Sequence, residues 1–203
     1  MSVAGLLVSF GFLIVAMTVH EFAHGMTAYK LGDSTAKYSG RLTLNPLAHI
    51  DPLGTVIIPL LLFITTRGQF VFGAAKPMPI NYLALHNPKK DIIWIGASGP
   101  LANLALAAIF SLACRITAQG SLPNFICQGM AYINVVLAVF NLIPIPPLDG
   151  SRILMGLLPE KISLRYAGLE PYGFFIVVAL IGLGLFDLMV LPLVRIFLKM
   201  LGL

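Results

Sequence analysis

Charged side chains are scarce in this chain of 203 residues: only 10% are Asp, Glu, Lys or Arg, while 58% are hydrophobic. Soluble domains carry roughly 25% charged and about 45–50% apolar residues. A soluble chain of this length could not bury so much apolar surface, so the expected solvent is lipid. No charge run and no Gly/Ser-rich linker marks a boundary, which predicts a single integral membrane domain over residues 1–203.

The charge distribution, the two cysteines and the N-terminal sequence further limit the class of protein. The net charge of +5 comes from scattered Lys and Arg rather than from a basic stripe, which favours anionic lipid headgroups over nucleic acid as partners. Cys114 and Cys127 are the only cysteines; two free thiols are the favoured interpretation, and a disulfide is the alternative. The first 19 residues lack the Lys or Arg of a secretory signal peptide, so a retained membrane helix is expected there.

The hydrophobic segments predict an all-α polytopic membrane protein with five to six membrane segments. Spans are expected at 3–29, 92–114 and 125–143, because their lengths match the ~30 Å core of a bilayer. The remaining apolar segments fit a short span or re-entrant segment at 53–66, a short helix at 148–158, a further span at 171–186 and an interfacial helix at 188–203.

Two polar connections carry patterns typical of small β-hairpins or re-entrant segments. Residues 38–44 alternate apolar and polar side chains before Asn45-Pro46, as short strands do. Residues 69–81 contain Pro77 and Pro79, which disfavour helix and favour extended backbone. Non-helical backbone at membrane depth is tolerated only where it is buried in protein or faces water. Both connections are therefore expected to line a cavity.

The run His20-Glu21-Phe22-Ala23-His24 lies toward the end of the first apolar segment. Positions i and i+4 of a helix lie one above the other, so both imidazoles face the same point. Two imidazoles at this spacing can hold zinc, and the glutamate can take a proton from the water that the metal activates. Three ionisable groups at membrane depth are costly without a partner. We therefore predict a zinc site with His20 and His24 as ligands and Glu21 as general acid–base.

A catalytic zinc ion needs a third protein ligand and one open position. Asp149 is the strongest candidate, because it follows an apolar span and a Pro-rich break of the helix. Its alternative role is to cap the helix that begins at Gly150. His49 and Asp51 compete for the same role, since they lie in a patterned loop just before an apolar segment.

Taken together, these motifs resemble the site-2 protease family of intramembrane zinc metalloproteases, in its compact prokaryotic branch. The resemblance covers most of the chain. It is carried by the histidine motif, by the runs 45–54, 73–81 and 99–103, and by Asn141 through Gly150. A chain of this length leaves no room for the PDZ or CBS domains of larger members, so none is expected.

The resemblance implies that His20, His24 and Asp149 bind zinc and that Glu21 is the catalytic acid–base. It also implies substrate-binding roles for Asn103 and Asn141, with Asn134 a weaker candidate. The alternative for each asparagine is a hydrogen bond between helices. The implied site therefore consists of Glu21 as the catalytic residue, the metal ligands His20, His24 and Asp149, and the substrate-binding residues Asn103 and Asn141.

The implied activity is hydrolysis of peptide bonds in or near transmembrane segments, by a multi-pass protein of the plasma membrane. The implied substrates are single-span membrane proteins or signal peptides, and the oligomeric state is left open. Two other functions compete with this one. A metal or proton transporter would spread ionisable residues along a path through several helices. A client-binding relative that does not cut is expected to lack a motif residue, and none is missing here.

Overall fold

All regular structure that the computed structural model describes is helical, and the described residues are 3–65, 73 and 75–203. The helices, in chain order, are α1 Val3–Lys30, α2 Thr35–Tyr38, α3 Ile58–Thr65, α4 Pro88–Ile116, α5 Leu122–Asn141, α6 Asp149–Leu157, α7 Glu160–Ala167, α8 Gly173–Gly182 and α9 Leu185–Leu201. A π-helical turn at Pro52–Ile57 leads into α3. Short 3₁₀ turns occur at Pro46–His49, Tyr82–Ala84 and Glu170–Tyr172.

Helix α4 is the centre of the bundle and packs against α1, α5 and α6, while α9 packs on α5. The hydrogen bond from His86 N–H to the Leu31 carbonyl, 3.0 Å long, brings the start of α4 beside the end of α1. The two helices are therefore antiparallel. Small residues allow the close packing, since Ala16 of α1, Ala107 of α4 and Ala131 of α5 are fully buried.

Four helical segments are long and apolar enough to cross a membrane: Leu7–Lys30, Pro88–Ile116, Leu122–Asn141 and Glu160–Gly182. The first three confirm the helices predicted at 3–29, 92–114 and 125–143, and α6 confirms the short helix predicted near 148–158. The predicted count of five to six spans is not confirmed. The apolar helices at Pro52–Thr65 and in α9 are shorter than a span.

The strand predicted at 38–44 is wrong. Residues 39–45 form turns and bends, in which Arg41 N–H donates to the Ala36 carbonyl at 2.9 Å. Among the described residues, isolated hydrogen bonds link the region 39–49 to the later connection: the Arg41 guanidinium donates to the Lys76 carbonyl at 2.8 Å, and Lys76 N–H donates to the His49 carbonyl at 3.0 Å. Alternation was a poor guide because the described part of the chain provides no strand ladder for the loop to join. Residues 66–72 and 74 lie outside the described part, so the strand predicted there stays a prediction.

Candidate metal centre

Helix α1 places His20 and His24 one turn apart on the face that packs against α4. Both side chains are buried, with exposed fractions of 5% and 2%. Their ring centroids are 4.6 Å apart, and the two Nε2 atoms are separated by 3.0 Å. The helix forms here because the surrounding run is continuously apolar, and the i, i+4 spacing then brings the rings together.

Asp149 reaches the same point from the other end of the sequence. Helix α5 ends at Asn141, and three prolines at 144, 146 and 147 prevent its continuation until α6 begins at Asp149. The buried Asp149 Oδ2 lies 2.9 Å from His20 Nε2 and 3.1 Å from His24 Nε2. Within the described residues, this trio is the one cluster of His, Cys, Asp and Glu side chains with metal-ligand spacing.

Hydrogen bonds on the far side of each ring set which nitrogen faces the cluster. His24 Nδ1 donates to the Ile95 carbonyl at 2.7 Å, and a carbonyl oxygen can only accept. His20 Nδ1 donates to Asn103 Oδ1 at 2.6 Å. The Asn103 oxygen must face the ring, because the amide nitrogen donates to the Ala16 carbonyl at 3.0 Å. Both neutral rings therefore carry the proton on Nδ1 and direct the Nε2 lone pair at Asp149.

The cluster fits a zinc ion. Two imidazole nitrogens and a carboxylate oxygen converge in a buried site, where they repel one another unless a positive charge lies between them. This donor set is one that zinc prefers, and ligand atoms about 2.0–2.2 Å from a tetrahedral zinc are roughly 3.3 Å apart. The observed separations of 2.9–3.1 Å differ from that value by only a few tenths of an ångström.

Two further residues support the cluster and were not predicted as site residues. A Cβ atom at Gly99 would lie 2.5 Å from His24 Nε2 and 2.6 Å from His20 Nε2, so only glycine leaves the space between the imidazoles and α4 open. The sequence pattern indicates no more than helix packing for this residue. Arg152, one turn after Asp149 on α6, donates from Nη1 to Asp149 Oδ1 at 3.2 Å. It therefore leaves Oδ2 to face the imidazoles.

The surroundings of Asp149 favour its ionised form. Burial raises the pKa of the carboxyl group, but when the imidazoles are protonated the positive charge of His24 and the hydrogen bonds from both rings lower it by more. The net pKa lies below the ordinary aspartate value, so the group is a carboxylate at neutral pH, the form that binds a cation. The helix-cap alternative does not describe it, because Leu148 occupies the N-cap position of α6.

Glu21 differs from three other acids of the chain, which are bound to backbone N–H groups. Asp33, Asp51 and Asp91 each accept hydrogen bonds from backbone N–H groups, those of Asn81, Gly54 and Asn87 among them. Glu21 is half-buried, and no hydrogen bond engages its carboxylate among the described residues. Its charge acts on Arg152, so the carboxylate lies within electrostatic range of the residue that contacts Asp149.

The competing ligands are engaged elsewhere. His49 donates from Nε2 to the Thr43 carbonyl at 2.8 Å, and Asp51 Oδ2 accepts from Gly54 N–H at 2.6 Å at the start of a helical turn. Neither belongs to the cluster. Cys114 and Cys127 are both free and buried, as favoured from the sequence.

The two asparagines predicted to bind substrate have different surroundings. Asn103 is fully buried, with its carboxamide bound to His20, Ala16 and Asn134. Asn141 is half-buried at the end of α5 and donates to the Leu137 carbonyl at 2.9 Å. Their contact with substrate stays a prediction.

Comparison with known proteins identifies relatives over most of the chain. The family model described as Peptidase family M50 matches residues 115–181, a stretch that contains Asp149. The chain is 40% identical over 178 residues to "Putative zinc metalloprotease YwhC" of Bacillus subtilis, covering 83% of this chain and 77% of that protein. It is 32% identical to "Putative zinc metalloprotease Rip2" of Mycolicibacterium smegmatis, covering 83% of this chain and 64% of that protein. No solved structure matches the chain.

Proposed function

Because this chain belongs to peptidase family M50, the site-2 protease family of zinc metalloproteases, we propose that it hydrolyses peptide bonds in or near the transmembrane segments of other proteins. One observation at the metal centre supports the proposal most directly. Two imidazole nitrogens and one carboxylate oxygen converge within 3.1 Å of one another, with both Nδ1 protons directed away.

His20, His24 and Asp149 would hold the zinc ion and leave one coordination position open for water or substrate. Zinc in such a site supplies Lewis acidity, which lowers the pKa of a bound water and polarises a carbonyl group. The chain's own contribution is to keep the three ligands in place. Asn103, the Ile95 carbonyl and Arg152 orient them, and Gly99 keeps the space beside them open.

Glu21 is the residue that moves protons in this proposal. Its carboxylate takes a proton from the attacking water and delivers it to the departing amine as the peptide bond breaks. Two features support this role: the side chain is half-buried beside His20, and no hydrogen bond to the described residues commits its oxygens. The free carboxylate is therefore available to bind water.

The depth of the two histidines within a candidate span supports transmembrane segments as the substrate class. The two histidines lie within a candidate span that ends at Lys30, so His20 is ten residues, or about 15 Å along the helix, from that end. Four candidate spans support a multi-pass membrane protein, and the plasma membrane is its proposed location. The proposed substrates are single-span proteins or signal peptides, and a helical substrate must unwind locally before its amide can reach the site.

The arrangement of charges supports hydrolysis over transport. A proton or metal pathway needs ionisable residues spread through several helices. Here the other buried carboxylates, those of Asp33 and Asp91, accept hydrogen bonds from backbone N–H groups near helix ends. They are therefore occupied with structural bonds, while His20, His24 and Asp149 converge at one point.

The test is cleavage of single-span peptides reconstituted with the purified protein in liposomes, read by mass spectrometry. We expect wild type to cut within or beside the span. Glu21→Gln should keep stoichiometric zinc but lose at least about 100-fold in rate, since general acid–base groups contribute 10²–10⁴-fold. Glu160→Gln, an exposed acid at the start of α7, is the matched control and should cut normally. Equal cleavage by Glu21→Gln and wild type would refute the role of Glu21.

A further inference from the structure

A chain of hydrogen bonds crosses the bundle from α5 to the metal centre. Asn134 Oδ1 accepts from Asn103 Nδ2 at 2.7 Å, and Asn103 Oδ1 accepts from His20 Nδ1 at 2.6 Å. Both asparagine side chains are 0% exposed. We propose that Asn134 is a positioning residue for zinc binding, which acts by holding the Asn103 carboxamide with its oxygen toward His20. This inference rests on the proposed zinc site.

The direction of every bond in this chain is fixed by two backbone carbonyls. Asn134 Nδ2 donates to the Met130 carbonyl at 2.8 Å, which leaves its oxygen to face Asn103. Asn103 Nδ2 donates to both Asn134 and the Ala16 carbonyl. Because a carbonyl oxygen cannot donate, neither carboxamide can turn over without placing two acceptors, or two donors, against each other.

This polarity determines the protonation of His20. With the Asn103 oxygen facing the ring, the proton of the neutral imidazole is on Nδ1 and the Nε2 lone pair faces the metal centre. A turned carboxamide would direct its NH₂ at Nδ1, and the proton would move to Nε2, where it blocks coordination. Asn134 supplies one of the two acceptors that hold Asn103 in the productive orientation. Because both side chains are fully buried, the loss of that acceptor leaves a buried donor without its partner, which is costly.

The neighbouring Asn124 offers a matched control. It is a buried asparagine of α5 whose Nδ2 donates to the Cys114 carbonyl at 3.2 Å, so it also links α5 to α4. Its partners Cys114 and Thr117 lie at the end of α4 away from Asn103. Truncating Asn124 therefore removes an interhelical amide of the same kind without touching the chain to His20.

The experiment compares wild type, Asn134→Ala and Asn124→Ala in detergent. The ring tautomer of His20 is read from ¹⁵N shifts of labelled histidine in the metal-free protein at pH 9, and zinc affinity is read by chelator competition. We expect the Nδ1–H form in wild type and a mixture in Asn134→Ala, with zinc affinity about tenfold weaker, as for outer-shell partners of metal ligands. Asn124→Ala should match wild type in both readouts.

Unchanged tautomer and affinity in Asn134→Ala would overturn the inference. An equal loss in Asn124→Ala would also overturn it, because the effect would then come from general packing of α5 on α4. A different result bears on the proposed function instead: wild type with His20 in the Nδ1–H form but without zinc uptake would contradict the metalloprotease proposal and leave the hydrogen-bond chain intact.

Discussion

At the scale of a single residue, Gly99 is a position where the metal centre leaves no space for a side chain. The two imidazoles lie so near the α4 backbone that a methyl group would come within 2.5–2.6 Å of their nitrogens. Gly99→Ala should therefore displace His20 or His24 and reduce zinc content well below one ion per chain. Metal analysis of the purified variant measures this effect.

The control for this substitution is Gly11→Ala in α1, where a Cβ meets nothing within 4 Å. It should keep full zinc occupancy. If the Gly99→Ala protein binds zinc as wild type does, the imidazoles can move away from α4 at no cost. That result would contradict the tight packing of the two rings on α4.

The sequence predicted the part of the site that lies within one helix. For the third metal ligand it gave only an order of preference among several candidates. His20, Glu21 and His24 lie within five consecutive residues, and helix geometry alone brings the two rings together. Asp149 lies 125 positions beyond His24, so its approach depends on how α4 places α6 beside α1. From the sequence, His49 and Asp51 remained competitors of Asp149, although Asp149 was the strongest candidate. Only the hydrogen bonds in the folded chain show that their polar atoms are used elsewhere.

At the scale of the helices and their connections, Asp33 anchors the segment that leads into α4. Its carboxylate is fully buried and accepts from Thr35 N–H at 2.9 Å and from Asn81 N–H at 2.7 Å. Hydrogen bonds to a charged group contribute about 1.5–3 kcal/mol each. Asp33→Ala should therefore lower the free energy of unfolding by about 3 kcal/mol or more.

Thermal unfolding in detergent measures this loss, and a decrease of Tm of about 6–12 °C is expected for a domain of this size. Glu160→Ala removes an exposed acid and should leave Tm within about 1 °C of wild type. A similar Tm for Asp33→Ala and wild type would show that the connection before α4 is held by other contacts.

Helices were easier to predict than the connections between them. An apolar run of about 20 residues in lipid satisfies its own backbone only as a helix, so the sequence determines α1, α4 and α5 directly. The connection at 38–44 has no such constraint. Its alternating pattern suggested a strand, but the Arg41 guanidinium and the His49 ring satisfy backbone carbonyls in place of a strand ladder.

At the scale of the whole molecule, the positions of the two ends of helix α4 relative to the membrane can be tested. Helix α4 has 29 residues and is about 43 Å long, so its two ends should lie on opposite faces of the membrane. In a background with Cys114→Ala and Cys127→Ala, Lys89→Cys and Gln119→Cys introduce exposed thiols at those ends. An impermeant maleimide applied to one face should label one of them and not the other. Labelling of both from the same face would contradict the assignment of α4 as a span.

Metal content by plasma emission shows whether His20, His24 and Asp149 together bind zinc. Wild type, His24→Ala and Asp149→Ala are purified in detergent under identical conditions, with circular dichroism to establish that each variant is folded. We expect close to one zinc per chain in wild type and a sharp loss in both variants. Full zinc occupancy in folded Asp149→Ala would contradict the three-ligand centre, and folded wild type without zinc or another transition metal would contradict the metalloprotease itself.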